Sequence, residues 1–277
     1  MEESSKKEET RGQLRDEIEG LNTVMEELEV LEAVDIAEEA ATLVEETAEA
    51  VEAQAEQLEA EYEAYADECQ AAMDLTMGRI RFLCKTIDRS GGRNPFDRIE
   101  SRIKTFKSVK GKCRERGYPC NMQGIRENVR DVAGIRIITK YIDEIDLVKN
   151  MIIQMPGVNV VSIKDYVTNP KPNGYQSVHL SCQIEVYDAI NGSRLVPLEI
   201  QLRSKSMNLW ATLEHDLKYK NENPSPEVDE KFRRIGMILR EFDEEAIALR
   251  DYGEVEVSNK AAATSVSEKL RDLTVSR

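Results

Sequence analysis

Histidine is almost absent: His179 and His215 are the only two among 277 residues. A metal centre or hydrolase site built from several histidines is therefore excluded, because each needs more such ligands than the chain has. Cysteine is sparse too, and Cys69, Cys84, Cys113, Cys120 and Cys182 form no C-x-x-C pair. The odd count and irregular spacing exclude a zinc site and a disulfide framework, so a reduced, cytoplasmic protein is expected. No apolar run approaches the ~18 residues of a membrane span, and no membrane partner is expected. Met1 to Arg15 is charged throughout and lacks the apolar core of a secretory signal.

A third shortage is local. From Asp16 to Gly78 there is no lysine or arginine. Residues 1–74 carry 25 acidic and 4 basic side chains, leaving 28 acidic and 34 basic in residues 75–277. The net charge of −15 thus hides an acidic extension on a mildly basic body. A basic body suits an anionic substrate. Proline is missing from Asp16 to Asp88, and glycine appears there only at Gly20 and Gly78. This stretch of Glu, Ala, Leu and Val predicts a long helix after a polar, disordered start over residues 1–15. Ala41, Val44, Ala48, Val51, Ala55, Leu58, Tyr62, Tyr65 and Cys69 alternate steps of three and four, a heptad seam. Two readings stay open, a self-association arm and a helix lying on its own body.

Ser90-Gly91-Gly92-Arg93-Asn94-Pro95 marks a break. A basic helix is expected over Phe96 to Glu115. Four runs have strand character: Ile135 to Tyr141, Val158 to Val167, Tyr175 to Val186 and Leu195 to Leu202. Asn191-Gly192 between the last two signals a hairpin. A helix is expected over Asp143 to Met155, another over Ser204 to Lys220, and a third from Pro226 to near Gly253. These elements make an α/β (α+β) body with a small mixed or antiparallel sheet of four to five strands flanked by helices.

Four groups of residues carry chemistry. Arg102, Lys104, Lys107, Ser108, Lys110, Lys112, Arg114 and Arg116 fall in fifteen residues with Glu115 as the only acid. Such concentrated cations with a hydroxyl suit a polyphosphate, although a nucleic-acid patch has the same composition. Asp131 precedes one strand and Glu199 sits inside another, where acids are depleted. Two carboxylates on neighbouring strands hold Mg²⁺ together with substrate phosphates. The alternative is that Arg136 and Arg203 pair with them structurally. Lys171-Pro172-Asn173-Gly174-Tyr175 forms a turn that presents Tyr175 for stacking on a purine, with Lys171 and His179 beside it. Gln201 shares the face of Glu199. Asn208 and Trp210 follow on a helix, and Trp210 reads as core. His215-Asp216 lacks the further ligands that an HD phosphohydrolase requires.

The order of these blocks carries a resemblance. R-I-K-x-x-x-S-V-K-x-K at 102–112, R-D-V-A-G-I-R-I at 130–137, K-x-N-G-Y-Q-S-V-H-L at 171–180 and L-E-I-Q-L-R-S at 198–204, followed by M-N-L-W-A-T-L-E-H at 207–215, resemble the synthetase domain of the RelA/SpoT family in its short stand-alone form. The resemblance covers residues 56–253, leaving 16–55 as an acidic helical extension and 254–277 as a flexible tail. It implies a nucleotidyltransferase-like fold and transfer of pyrophosphate from ATP to the 3′-hydroxyl of GTP or GDP, with Mg²⁺. By the same resemblance Arg102 and Arg136 sandwich adenine, and Lys104, Ser108 and Lys112 hold the ATP phosphates. Asp131 and Glu199 take the metal, and Glu199 also activates the hydroxyl. Tyr175 stacks on guanine, with Lys171, His179, Gln201 and Asn208 holding the acceptor. Glu115 departs from the pattern where another basic contact is expected, and Arg114 or Arg116 is its substitute. The hydrolase and C-terminal regulatory domains of the long relatives have no counterpart among these blocks. A homo-oligomer, a tetramer by resemblance, is implied. An RNA 3′ end or an adenine nucleotide remains an alternative acceptor, and a non-catalytic binding module or coiled-coil scaffold an alternative role.

Overall fold

The computed structural model describes residues 2–190, 192–218 and 225–275. In chain order the elements are α1 (Glu2–Arg89), β1 (Phe96–Ile103), α2 (Phe106–Arg116), α3 (Met122–Asn128), β2 (Ala133–Thr139), α4 (Glu144–Ile153), β3 (Val158–Asp165), β4 (Val178–Asp188), β5 (Gly192–Ser204), α5 (Lys205–Lys218) and α6 (Pro226–Val275). The chain divides into two units, Met1–Ala60 and Glu61–Arg277. In the first unit Val44 and Val51 are each 67% exposed, so this part of the heptad seam meets solvent. Ala41 and most side chains of residues 1–46 and 254–277 lie outside those described, and so do the expectations of a disordered start and a flexible tail. The helices themselves extend beyond the expected ends. Helix α1 includes residues before Asp16, and α6 continues through Gly253, which is followed by no proline or αL turn.

In the second unit the seam becomes core. Tyr62, Tyr65, Cys69, Ala72 and Ile80 are buried along one face of α1. Helix α1 stops at Arg89, and Gly91 takes a left-handed turn at φ 71°.

The sheet has strand order β1-β2-β5-β4-β3. Only β2 and β5 run parallel; β1–β2, β5–β4 and β4–β3 are antiparallel. On one face Val178, Leu180, Cys182 and Ile184 of β4 pair with Leu202, Ile200, Leu198 and Val196 of β5, and all eight are buried. Period-two alternation sends the polar partners to the opposite face. The β4–β5 hairpin forms where expected, with Gly192 at φ 75°. Pro197 sits in β5 before its pairing with β2 begins at Glu199, where no β2 neighbour needs its missing N–H.

One expected element is wrong in kind. Phe96–Ile103 is a strand and not the start of a basic helix; the helix begins only at Phe106. The segment is an edge strand rich in charge, and charged edges are how sheets end without further pairing. It therefore shows none of the β-branched run by which a strand is read. Thr105 then caps α2 through its side chain, which accepts from Ser108 N at 3.3 Å, and Gly117 closes it at φ 67°. Strand β4 also starts later than expected, at Val178, leaving Tyr175 on the preceding turn.

Candidate functional site

The polar face of the sheet is built from two cross-strand rows. In one, Ser181 of β4 pairs with Glu199 of β5, which pairs with Gly134 of β2, which pairs with Arg102 of β1. In the next, Lys164, His179, Gln201, Arg136 and Glu100 are successive partners from β3 to β1. The parallel β2–β5 pairing thus brings Asp131, two residues before β2, beside Glu199 of β5. Asp131, Glu199, Glu100, Arg102, Gly134 and Arg136 line one cavity of about 220 Å³. A second cavity of about 580 Å³ shares Arg102, Arg136 and Gln201 and adds Tyr175, Arg203 and Glu214.

Asp131 is gripped from two sides. Lys104 Nζ lies 2.6 Å from Oδ2 and Lys112 Nζ 2.8 Å from Oδ1. Lys104 precedes α2, and its carbonyl accepts from Tyr62 OH at 2.6 Å, so α1 props the lysine's backbone. Burial and nearby anionic groups push the Tyr62 phenol up to about 12, so it remains a donor. Burial raises the Asp131 carboxyl, but the two lysines outweigh it and hold it below its ordinary value. Glu199 is also buried, which raises it, yet bonds from His179 (3.2 Å) and Gln201 (2.6 Å) bring it below the usual range. The nearby Asp131 charge opposes that lowering.

The alternative, structural pairing of these acids with Arg136 and Arg203, does not form. Arg136 Nη1 binds Glu100 at 3.1 Å instead of either site acid. Arg203 Nη2 donates to Tyr175 OH at 2.9 Å and Gln201 Oε1 at 3.1 Å. Asp131 and Glu199 are thus left to two lysines, an imidazole and an amide.

Tyr175 stands in an aromatic cluster, edge-on to Tyr166, His179 and Trp210 at 5.9–6.1 Å between ring centres. Lys171 Nζ lies 5.0 Å from the Tyr175 ring centre and 4.9 Å from that of Tyr166. The turn holding Tyr175 is fixed by glycine: Gly174 has φ 89° and a Cβ there would come 3.0 Å from Arg233 Cα of α6. Trp210 is core, as expected, its indole donating to Phe232 O at 2.9 Å.

The remaining expected residues are less central. Ser108 is exposed on α2, and Glu115 and Arg116 are exposed at its end, Nε lying 4.0 Å from Oε1. Asn208 is buried, its Oδ1 has no partner, and it is not among the residues lining the two cavities. Sequence reasoning missed Glu100, Gly134 and Arg203 as site components. Arg203 was findable as the next step of the Glu199, Gln201 alternation; Glu100 required knowing that β1 is a strand.

Fold and site together define an α/β domain in which lysines at and just before a helix grip one of two carboxylates presented by a mixed sheet. Residues 101–224 match the region found in RelA / SpoT proteins. The chain is 32% identical over 180 residues to the GTP pyrophosphokinase YwaC of Bacillus subtilis, covering 65% of this chain and 85% of that one. It is 33% identical over 169 residues to the GTP pyrophosphokinase YjbM of the same organism, covering 61% and 77%. The small alarmone synthetase 1 of B. subtilis bound to its product pppGpp superposes with a TM-score of 0.64 at 27% identity, over 69% of this chain and 97% of that one. The same synthetase bound to AMPCPP gives 0.58 at 25%, over 69% and 97%. The chain belongs to the RelA/SpoT family.

Proposed function

We propose that this chain is a small alarmone synthetase, transferring the β,γ-pyrophosphate of ATP to the 3′-hydroxyl of GTP or GDP to give (p)ppGpp. The observation that carries this is the meeting of Asp131 and Glu199 in one cavity, the first held by two lysines and the second linked through His179 to Tyr175. In the reaction the acceptor 3′-oxygen attacks the β-phosphorus of ATP, the bond from that phosphorus to the α–β bridging oxygen breaks, and AMP leaves. Such transfer needs placement and charge neutralisation more than covalent help.

Each matching residue then has a part. Arg102 and Arg136 flank the adenine. Lys104, Lys112 and Ser108 hold the triphosphate. Tyr175 gives the guanine a face to stack on, and Lys171, His179, Gln201 and Asn208 fix the acceptor nucleotide. Glu199 takes the 3′-hydroxyl proton, a role its ionised state suits. Asp131 and Glu199 would hold Mg²⁺. Among the described residues no group of three or more His, Cys, Asp or Glu side chains converges, and two carboxylate donors completed by phosphate oxygens and water suit this hard cation. Bound there, Mg²⁺ would neutralise charge on the transferring group.

The test is incubation of the purified chain with labelled ATP and Mg²⁺ plus GTP, GDP, ATP or tRNA, followed by separation of products. Label appearing as a guanosine 3′-pyrophosphate supports the reading. Label confined to tRNA or to an adenine nucleotide would replace the acceptor, and no transfer at all would refute the activity.

A further inference from the structure

Five side chains on the polar face close a ring of hydrogen bonds. Arg203 Nη2 donates to Tyr175 OH and to Gln201 Oε1, at 2.9 and 3.1 Å. Gln201 Nε2 donates to Glu199 Oε2 at 2.6 Å. Along the other arm Tyr175 OH lies 2.8 Å from His179 Nε2, and His179 Nδ1 lies 3.2 Å from Glu199 Oε1.

The directions follow from the two ends. A guanidinium only donates and an ionised carboxylate only accepts. Gln201 therefore receives at its oxygen and gives from its nitrogen. The Tyr175 oxygen, already accepting from Arg203, offers its proton to His179 Nε2. His179 then carries its hydrogen on Nδ1 and gives it to Glu199. Every bond runs from Arg203 toward Glu199, and no donor meets a donor.

Arg203 is an unusual residue for this position. It is 6% exposed, and among the described residues no carboxylate lies within ion-pair distance. Its Nε has no hydrogen-bond partner. Its guanidinium carbon lies 5.4 Å from the Tyr175 ring centre, so it restrains the ring as well as the hydroxyl. A buried cation without a counter-charge costs stability. What Arg203 offers instead is direction: the source of both arms.

We propose that Arg203 is a positioning residue. It holds the Tyr175 hydroxyl and the Gln201 amide oxygen, and through them and His179 it sets Glu199 and Tyr175 in one rigid relation. It touches no reacting atom. The proposal rests on the activity above only for its kinetic consequence, since the tautomer is a property of the protein alone.

The chain has two histidines, so ¹⁵N-histidine labelling of the full-length protein gives two ring systems, and His179→Gln assigns them. The His179 ring is expected as Nδ1–H in the wild type, because Nδ1 faces a carboxylate oxygen that only accepts. An Nε2–H ring or a doubly protonated ring in the wild type overturns the network from which the proposal is argued. In the transfer assay Arg203→Met should lower kcat on the order of 10²-fold, the cost of a misplaced group. It should also raise the acceptor KM while leaving the ATP KM in place, and Arg203→Lys should recover part of both losses. Equal effects on the two KM values, or Arg203→Lys no better than Arg203→Met, overturn it. If Arg203→Met does not fold, Arg203→Lys decides by the same pair of KM values. A wild type that transfers nothing refutes the activity while the ring's tautomer still tests the network.

Discussion

Gly134 separates stability from activity. It lies in β2 between Arg102 of β1 and Glu199 of β5, and it lines the smaller cavity. Its φ is not among the positive ones, and a Cβ there would meet no group within 4 Å. The fold therefore does not require glycine at this position. Glycine inside a strand weakens it by roughly 0.5–1 kcal/mol relative to alanine. Gly134→Ala should recover that amount, and at about 2–4 °C per kcal/mol for a domain of this size the melting temperature should rise by about 1–4 °C. The same methyl group projects into a cavity of about 220 Å³, beside the carboxylate proposed to take the 3′-hydroxyl proton. Displacing a bound reactant by about 1 Å costs on the order of 10²-fold in rate. Gly134→Ala should lose about tenfold and Gly134→Val about a hundredfold by that measure. Calorimetric melting paired with product formation at saturating ATP checks both halves. A falling melting temperature would refute the open-space reading of β2. Undiminished turnover in Gly134→Val would show that substrate does not occupy this gap.

Other expectations address single side chains. Glu199→Gln should keep the fold and cost on the order of 10²-fold or more in kcat, the usual worth of a base or metal ligand; a near-normal rate removes Glu199 from the chemistry. Tyr175→Ala should raise the acceptor KM more than the ATP KM, and equal increases would count against stacking. Asp243, buried in α6, accepts from the hydroxyls of Ser204 and Ser206. Burial pushes its carboxyl up, and the two hydroxyls restore only part of the shift. A raised folded value means that its contribution to stability is present below the unfolded carboxyl range and lost as pH rises through the folded value. Asp243→Asn should therefore gain in melting temperature over the wild type as pH increases across that window; parallel curves would refute the assignment.

Much of this site was legible because strand alternation and motif order are local properties. Glu199, Gln201 and Arg203 declare one face of β5 through their apolar neighbours, and the register to β4 follows from the Asn191-Gly192 hairpin. The pairing of β2 with β5 was not legible in the same way. It joins segments more than sixty residues apart, and nothing within either run states that they lie parallel. The partner of Asp131 followed from that gap: Arg136 is near in sequence, but its strand position sends it to Glu100 on β1. Strand β1 was misread because its charges, suited to a sheet edge, also suit a basic helix. The long acidic helix was visible throughout in composition, yet among the described residues its seam buries side chains from Tyr62 onward, where alanines give way to tyrosine and methionine.

The grip of Lys104 and Lys112 on Asp131 could be taken for a closed pair that excludes a cation. The geometry argues otherwise. Each lysine engages a different oxygen of the carboxylate. An ionised carboxylate offers about four lone-pair directions, so each oxygen retains one. Each ammonium has three donors and uses one on Asp131. The lysine side chains remain 15% and 30% exposed, so their other donors are not sealed from an incoming polyphosphate. Under the proposed function, Lys104 and Lys112 thus bridge Asp131 to the ATP phosphates and hold nucleotide and carboxylate together, and Asp131 and Glu199 would hold the divalent ion. Their sequence separation serves this: one precedes α2, the other lies in its second turn, and they approach Asp131 from two directions. A single lysine could neutralise the acid, but it could not fix the orientation of its carboxylate plane toward Glu199.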